Sequence, residues 1–252
     1  ERRWVMVAGI FCWGVAWFRA FRFGPGWGLG GVLGVALVLR LVVFPLPPVL
    51  SDDLYRYLWD GILTAESGNP FSETPREVDR GGRESLGALF GELNSPDFHT
   101  VYPAASQWFF AAGGWAAGAW GVEAGLHAIK GLMALCELGA LLLLSRLVDA
   151  RRLLLYAWNP VIVLELWGQA HTEAIAVLGL VGCVWALRRC RGGMAGAALA
   201  LAGWAKLFPL LLVPMLWRRC GCKALFAGVA VSLLLWLPFL RGFDFPGVAE
   251  SL

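Results

Sequence analysis

The side chains best suited to chemistry are a few ionisable residues at the edges of long apolar runs, or inside them. Asp52 and Asp53 follow directly on the apolar stretch that ends Phe44-Pro45-Leu46-Pro47-Pro48, where a membrane span would surface. His171 and Glu173 interrupt the apolar stretch from Leu153 to Leu187, Lys206 stands between the apolar halves of 194–217, and Arg40 lies within an earlier run. His99 ends the most polar part of the chain. Ionisable groups at such depths are expensive in lipid and mark a pathway or a site. A carboxylate can accept the proton of a sugar hydroxyl while Lys or Arg steadies charge on a departing phosphate. Carboxylates at an outer face with a buried cation therefore suit a reaction in which a lipid phosphate leaves. The plainer readings are that Ser51, Asp52 and Asp53 cap a helix, that His171 and Glu173 touch only water, and that Arg40 and Lys206 snorkel.

The elements that must hold these residues read as membrane helices. Apolar residues make up 58% of the 252, with 14 Trp, which is far from a soluble profile. A net charge of +3 gives no case for nucleic acid as a partner. Candidate spans cover about 4–23, 27–46, 103–120, 126–147, 153–187, 194–217 and 224–240. Asn159-Pro160 and the polar cluster 167–173 break the fifth, and Lys206 with Pro209 breaks the sixth. The spacing after Asp53 predicts an amphipathic helix lying on the membrane, with Tyr55, Leu58, Trp59, Ile62 and Leu63 on one face and Arg56, Asp60 and Ser67 on the other. Leu86, Leu89, Phe90 and Leu93 predict a second short one. The expected fold is all-α: one polytopic transmembrane domain over 1–252 with about seven to nine membrane helices, several half-length. Its interfacial helices sit in a first outer loop of about 48–101, and its C-terminal spans are expected to lie beyond this sequence. Loop charges leave one ambiguity. Arg188, Arg189 and Arg191 look cytoplasmic, as do Arg218, Arg219 and Lys223, yet a full span between them would separate the two groups. Either 194–217 is a re-entrant pair or the positive-inside rule fails there. No nucleotide-binding glycine pattern occurs, the six Cys form no disulfide framework, and no cofactor is certain, with a divalent cation allowed.

Ser51-Asp-Asp-Leu-Tyr-Arg-Tyr-Leu-Trp-Asp-Gly61 with Asn69-Pro70 resembles the first outer loop of bacterial GT-C glycosyltransferases, and more narrowly the mannosyltransferase-like members related to glycosyltransferase family 87. Thr100-Val-Tyr-Pro103 with Gln107, Tyr156-Ala-Trp-Asn-Pro160, Gly168 to His171 and Lys206-Leu-Phe-Pro209 agree in the same order. The resemblance implies a multi-span enzyme of the cell membrane. It would transfer a hexose, often mannose, from a polyprenyl-phosphate carrier to a glycan or glycolipid acceptor outside the cytoplasm, with membrane lipid as its surroundings. By that likeness Asp52 or Asp53 is the acidic catalytic residue, with Arg40, Tyr55, Arg56, Tyr102, His171, Glu173 and Lys206 about the substrate. Two departures stand out: Ala104 replaces a second proline, and Gly168-Gln-Ala-His171-Thr-Glu173 displaces the usual Gly-His-x-Asp. The alternative is an ion-coupled secondary transporter. The long outer loop and the lack of an inverted repeat favour the enzyme.

Overall fold

The computed structural model describes residues 2–24, 26–66, 68–80 and 86–251, with backbone alone for 2–6, 79 and 80. Ser67 lies outside them. Helix is the regular structure throughout the described residues, as the apolar runs require, because a backbone in lipid must satisfy its own hydrogen bonds. In chain order the helices are α1 (Arg2–Phe23), α2 (Leu29–Val43), α3 (Asp53–Ala65), α4 (Pro75–Arg80), α5 (Gly87–Phe90), α6 (Ala104–Trp120), α7 (Val122–Leu144), α8 (Ala150–Ala157) and α9 (Pro160–Val163). A wide π turn, Leu164–Gly168, joins α9 to α10 (Glu173–Arg188). Then come α11 (Gly192–Gly203), a 3-10 turn at Phe208–Leu212, α12 (Val213–Cys220), α13 (Cys222–Trp236) and α14 (Phe245–Ser251).

Fewer of these reach span length unaided than the apolar runs suggest. Among the described residues α7 and Cys222–Phe239 are long and apolar enough to cross a membrane. Pro160–Gly168 with Glu173–Arg188 forms a third, broken and bent by 119°. α2 and α11 are shorter apolar helices. The breaks fall at Asn159-Pro160 and at the polar cluster before Glu173, where proline and polar side chains bonded outside the helix end regular helix.

The ambiguity at 194–217 resolves as a re-entrant pair. α11 stops at Gly203, and the chain turns through Lys206 and folds back on itself. A side chain on Gly203 would lie 2.2 Å from Leu210, and at the other end a side chain on Gly192 would lie 3.0 Å from Cys220. α12 thus returns to the end of the bundle where α11 began. Contacts at that end run on continuously: Arg188 Nη1 donates to Leu147 O at 2.8 Å, and Arg151 Nε donates to Phe21 O at 3.3 Å. Arg19, Arg22, Arg146, Arg151, Arg152, Arg188, Arg189, Arg191, Arg218, Arg219 and Lys223 therefore gather at one end, with Asp149 as the acid among those segments. The hairpin thus brings the two basic groups to one end of the bundle.

The helices are held by close approach, since lipid supplies no hydrophobic drive between them. α3 crosses α6 so closely that a Cβ on Gly61 would sit 2.0 Å from Phe110 O, and one on Gly114 would sit 2.1 Å from Gly61 O. Gly196 of α11 meets Ala224 of α13 in the same way, at 1.9 Å.

The polar face expected on α3 is not turned to water. Arg56 and Asp60 are buried. Arg56 Nε donates to Asp60 Oδ1 at 2.9 Å, and its other nitrogens reach Ser95 O and Phe98 O at 3.0 and 3.1 Å. The outer segment folds over that face, a contact made by residues some 40 positions away that helical periodicity cannot register. The second interfacial helix shrinks to the single turn α5, with Leu86 and Leu89 buried and Phe90 tilted against Trp59 at 5.8 Å.

Candidate active site

Asp53 opens α3 and is held from three directions. Ser51 Oγ accepts from the Asp53 amide at 3.2 Å, so the capping bond comes from serine. Asn94 Nδ2 donates to Asp53 Oδ1 at 3.2 Å. His171 Nε2 lies 4.0 Å from Asp53 Oδ2. Asp52, at the N-cap position, is exposed and makes no capping bond. The two acids thus part company: one is built in, the other faces water.

Local backbone chemistry presents His171. The π turn inserts an extra residue into the helix, a device that recurs at functional sites. Ala170 then takes φ +60°, a left-handed conformation that costs about 1–3 kcal/mol in a residue with a Cβ. The His171 amide bonds back to Glu165 O at 3.1 Å. Its ring Nδ1 sits 2.9 Å from Glu165 Oε2, which favours a proton on Nδ1 and leaves Nε2 as the free nitrogen toward Asp53. Gln169 Oε1 accepts from the amides of Leu50 and Ser51 at 2.9 and 3.2 Å, clamping the approach to α3 onto the His171 turn. Asp53, His171 and Glu165 form a line of three groups from two distant parts of the chain.

Lys206 occupies the tip of the α11–α12 hairpin, at the end opposite the arginines. Its Nζ pairs with Glu173 Oε1 at 2.9 Å, both side chains being partly exposed. The Ala105 amide donates to Trp204 O at 2.9 Å, and Ser106 Oγ donates to Ala205 O at 3.2 Å, so the start of α6 fixes this tip. Tyr102, just before α6, meets Tyr57 edge-on at 4.8 Å. Burial first, then the charge of Asp53, push the Tyr102 phenol well above its ordinary value. Burial, Tyr102, Asp53 and then Glu173 act on Tyr57 in the same direction, so one phenol feels both carboxylates. Seven buried side-chain polar atoms have no hydrogen-bond partner among the described residues, and His171 Nε2 and Glu173 Oε2 are two of them.

Other expected site residues lie elsewhere. Arg40 neither snorkels nor faces a cleft: it is fully buried, donating to both oxygens of Glu137 at 2.8 and 2.5 Å and to Ala36 O and Ala157 O. Trp167 Nε1 adds a bond to Glu137 at 2.8 Å. This closed cluster ties α2, α7 and the π turn together. Arg56 is a brace for the outer segment. Tyr55 lines a separate cleft of about 260 Å³ with Glu123, His127 and Lys130. His99 approaches Asp244 at 3.4 Å, joining the outer segment to α14. Among the described residues no three His, Cys, Asp or Glu side chains are arranged to hold a metal ion.

Sequence reasoning passed over Glu165 and Asn94. Glu165 was visible as a lone carboxylate in Val-Leu-Glu-Leu, the same signal that singled out Lys206. Asn94 had no such mark, because its role depends on the outer segment folding back. A family model described as alpha-(1->6)-mannopyranosyltransferase, N-terminal domain, matches residues 2–220. No curated protein and no solved structure matches.

Proposed function

The chain belongs to the alpha-(1->6)-mannopyranosyltransferase family, and we propose that it moves mannose from a polyprenyl-phosphate carrier to a hydroxyl of a glycan or glycolipid on the extracytoplasmic side of the cell membrane. The observation that carries this reading is the Asp53–His171–Glu165 line, set at the same end of the bundle as the Lys206–Glu173 pair and opposite the arginine-rich segments. The positive-inside rule puts the arginines in the cytoplasm and Asp53 outside.

Asp53 serves as general base. It takes the acceptor hydroxyl's proton as the acceptor oxygen bonds to the sugar's C1 and the bond from C1 to the phosphate oxygen breaks. Lys206 turns from Glu173 to the phosphate and offsets the charge gained by the departing polyprenyl phosphate. Glu165 orients His171, whose free Nε2, like Glu173 Oε2, offers an acceptor that a sugar hydroxyl can satisfy. An apolar groove of about 130 Å³, lined by Leu199, Leu210, Val213, Leu225 and Val229, runs between α11, α12 and α13 below Lys206 and suits a prenyl chain.

The test uses full-length protein in proteoliposomes, offered labelled polyprenyl-phosphate mannose or a nucleotide mannose with a mannoside acceptor. Transfer from the lipid donor, with little from the nucleotide, is expected. Efficient use of the nucleotide donor alone would overturn the proposal.

A further inference from the structure

Glycosyl transfer leaves unused the opposite end of the bundle. Between the last turn of α10 and the α12–α13 corner opens a cleft of about 660 Å³, larger than the one beside Tyr55. Arg188, Arg219 and Lys223 line it, no acid does, and its remaining wall includes Val184, Leu187 and Met215. Among the described residues none of these three cations is in an ion pair. Arg188 spends one nitrogen on Leu147 O and keeps the rest. Arg189 lies over Trp185, its guanidinium carbon 4.6 Å from the ring, which fixes a further cation beside the cleft.

Helix dipoles explain part of this. Arg188 ends α10 and Arg219 lies in the last turn of α12, where the negative helix end favours cations. Lys223 cannot be explained so, because it stands in the first turn of α13, where the dipole opposes it. Three unpaired cations around one hollow repel one another and call for an anion. The anion's carrier must also be amphiphilic, for Val184 and Met215 are 46% and 45% exposed along the same wall. A soluble phosphate would leave that wall bare.

We infer that this cleft binds the phosphate of an anionic membrane phospholipid, the headgroup lying among Arg188, Arg219 and Lys223 and an acyl chain lying along Val184, Leu187 and Met215. The site is distinct from the proposed donor site, and its test reads lipid retention and not mannose transfer, so either can fail alone.

The experiment exchanges full-length protein into nanodiscs of phosphatidylcholine carrying a minor share of phosphatidylglycerol, then measures by native mass spectrometry the phosphatidylglycerol kept after detergent release. Wild type should retain it selectively. Arg219→Gln with Lys223→Gln should weaken retention about 25-fold, about fivefold for each charge removed. Arg219→Lys should keep it. Both residues are exposed, so the variants should fold, which their melting profile checks. Arg151→Gln with Arg152→Gln removes the same charge from the same end but outside the cleft and should leave retention unchanged. Equal retention of both lipids by wild type, an equal loss in the Arg151/Arg152 variant, or displacement by millimolar inorganic phosphate would each overturn the inference.

Discussion

Replacing Gly61 with alanine tests the link between helix packing and chemistry. The added Cβ would lie 2.0 Å from Phe110 O, where ordinary contact begins at 3.4 Å, so α3 and α6 must part by about 1.4 Å in an interior that yields little. In a helix interior the change from Gly to Ala ordinarily gains about 0.5–1 kcal/mol. Overpacking a closed contact costs about 1–3 kcal/mol, so the gain should be cancelled or reversed, to a net loss of up to about 2.5 kcal/mol. Because Asp53 begins the helix that moves, its carboxylate shifts relative to His171, and a misplacement of about 1 Å costs on the order of 10²-fold in rate. Gly114→Ala should act alike, since its Cβ would meet Gly61 O at 2.1 Å. Gly118→Ala, on the same α6 with nothing within 4 Å, is the control and should be neutral or slightly stabilising. The assays are the thermal midpoint in detergent and mannose transfer in proteoliposomes. If Gly61→Ala and Gly114→Ala melt and turn over like Gly118→Ala, the crossing is not as close as described and the coupling to Asp53 fails.

Asp53→Asn should lower transfer by about 10²–10⁴-fold with folding intact, whereas Asp52→Asn should stay near wild type; the reverse ranking would reassign the base. Lys206→Met should raise the KM for the lipid donor far more than it lowers the melting midpoint, while Glu173→Gln should free the ammonium and spare the donor KM. Equal damage to melting and KM would make Lys206 a structural partner of Glu173. Glu137→Ala strands the Arg40 guanidinium in the core and should cost about 3–5 kcal/mol, seen as a large fall in melting midpoint, with Arg40→Met and Glu137→Leu together recovering most of it. If the single variant melts like wild type, the cluster is not the closed pair described.

Composition and apolar run length by themselves determined that this chain is helical and bound for a membrane, since a backbone in lipid has few other options. Asn159-Pro160 and the break at Lys206 were legible for the same reason: proline and a lone charge act on their own few residues. Asp53, His171 and Lys206 stood out because an ionisable group in an apolar run is conspicuous wherever the chain later takes it. Tertiary structure alone decided which partner each would meet. Arg40 found Glu137, 97 positions away, and became a core tie. Arg56 and Asp60 were covered by an outer segment whose own pattern is too polar to predict a docking surface. Asp52 and Asp53 are indistinguishable as neighbours in sequence, yet the start of α3 turns one toward Asn94 and His171 and leaves the other in water. The hairpin at Lys206 was undecidable from hydropathy, which measures length but not direction. Direction came from Gly203 and Gly192, which allow α12 to fold back close enough to reunite the two groups of arginines at one end.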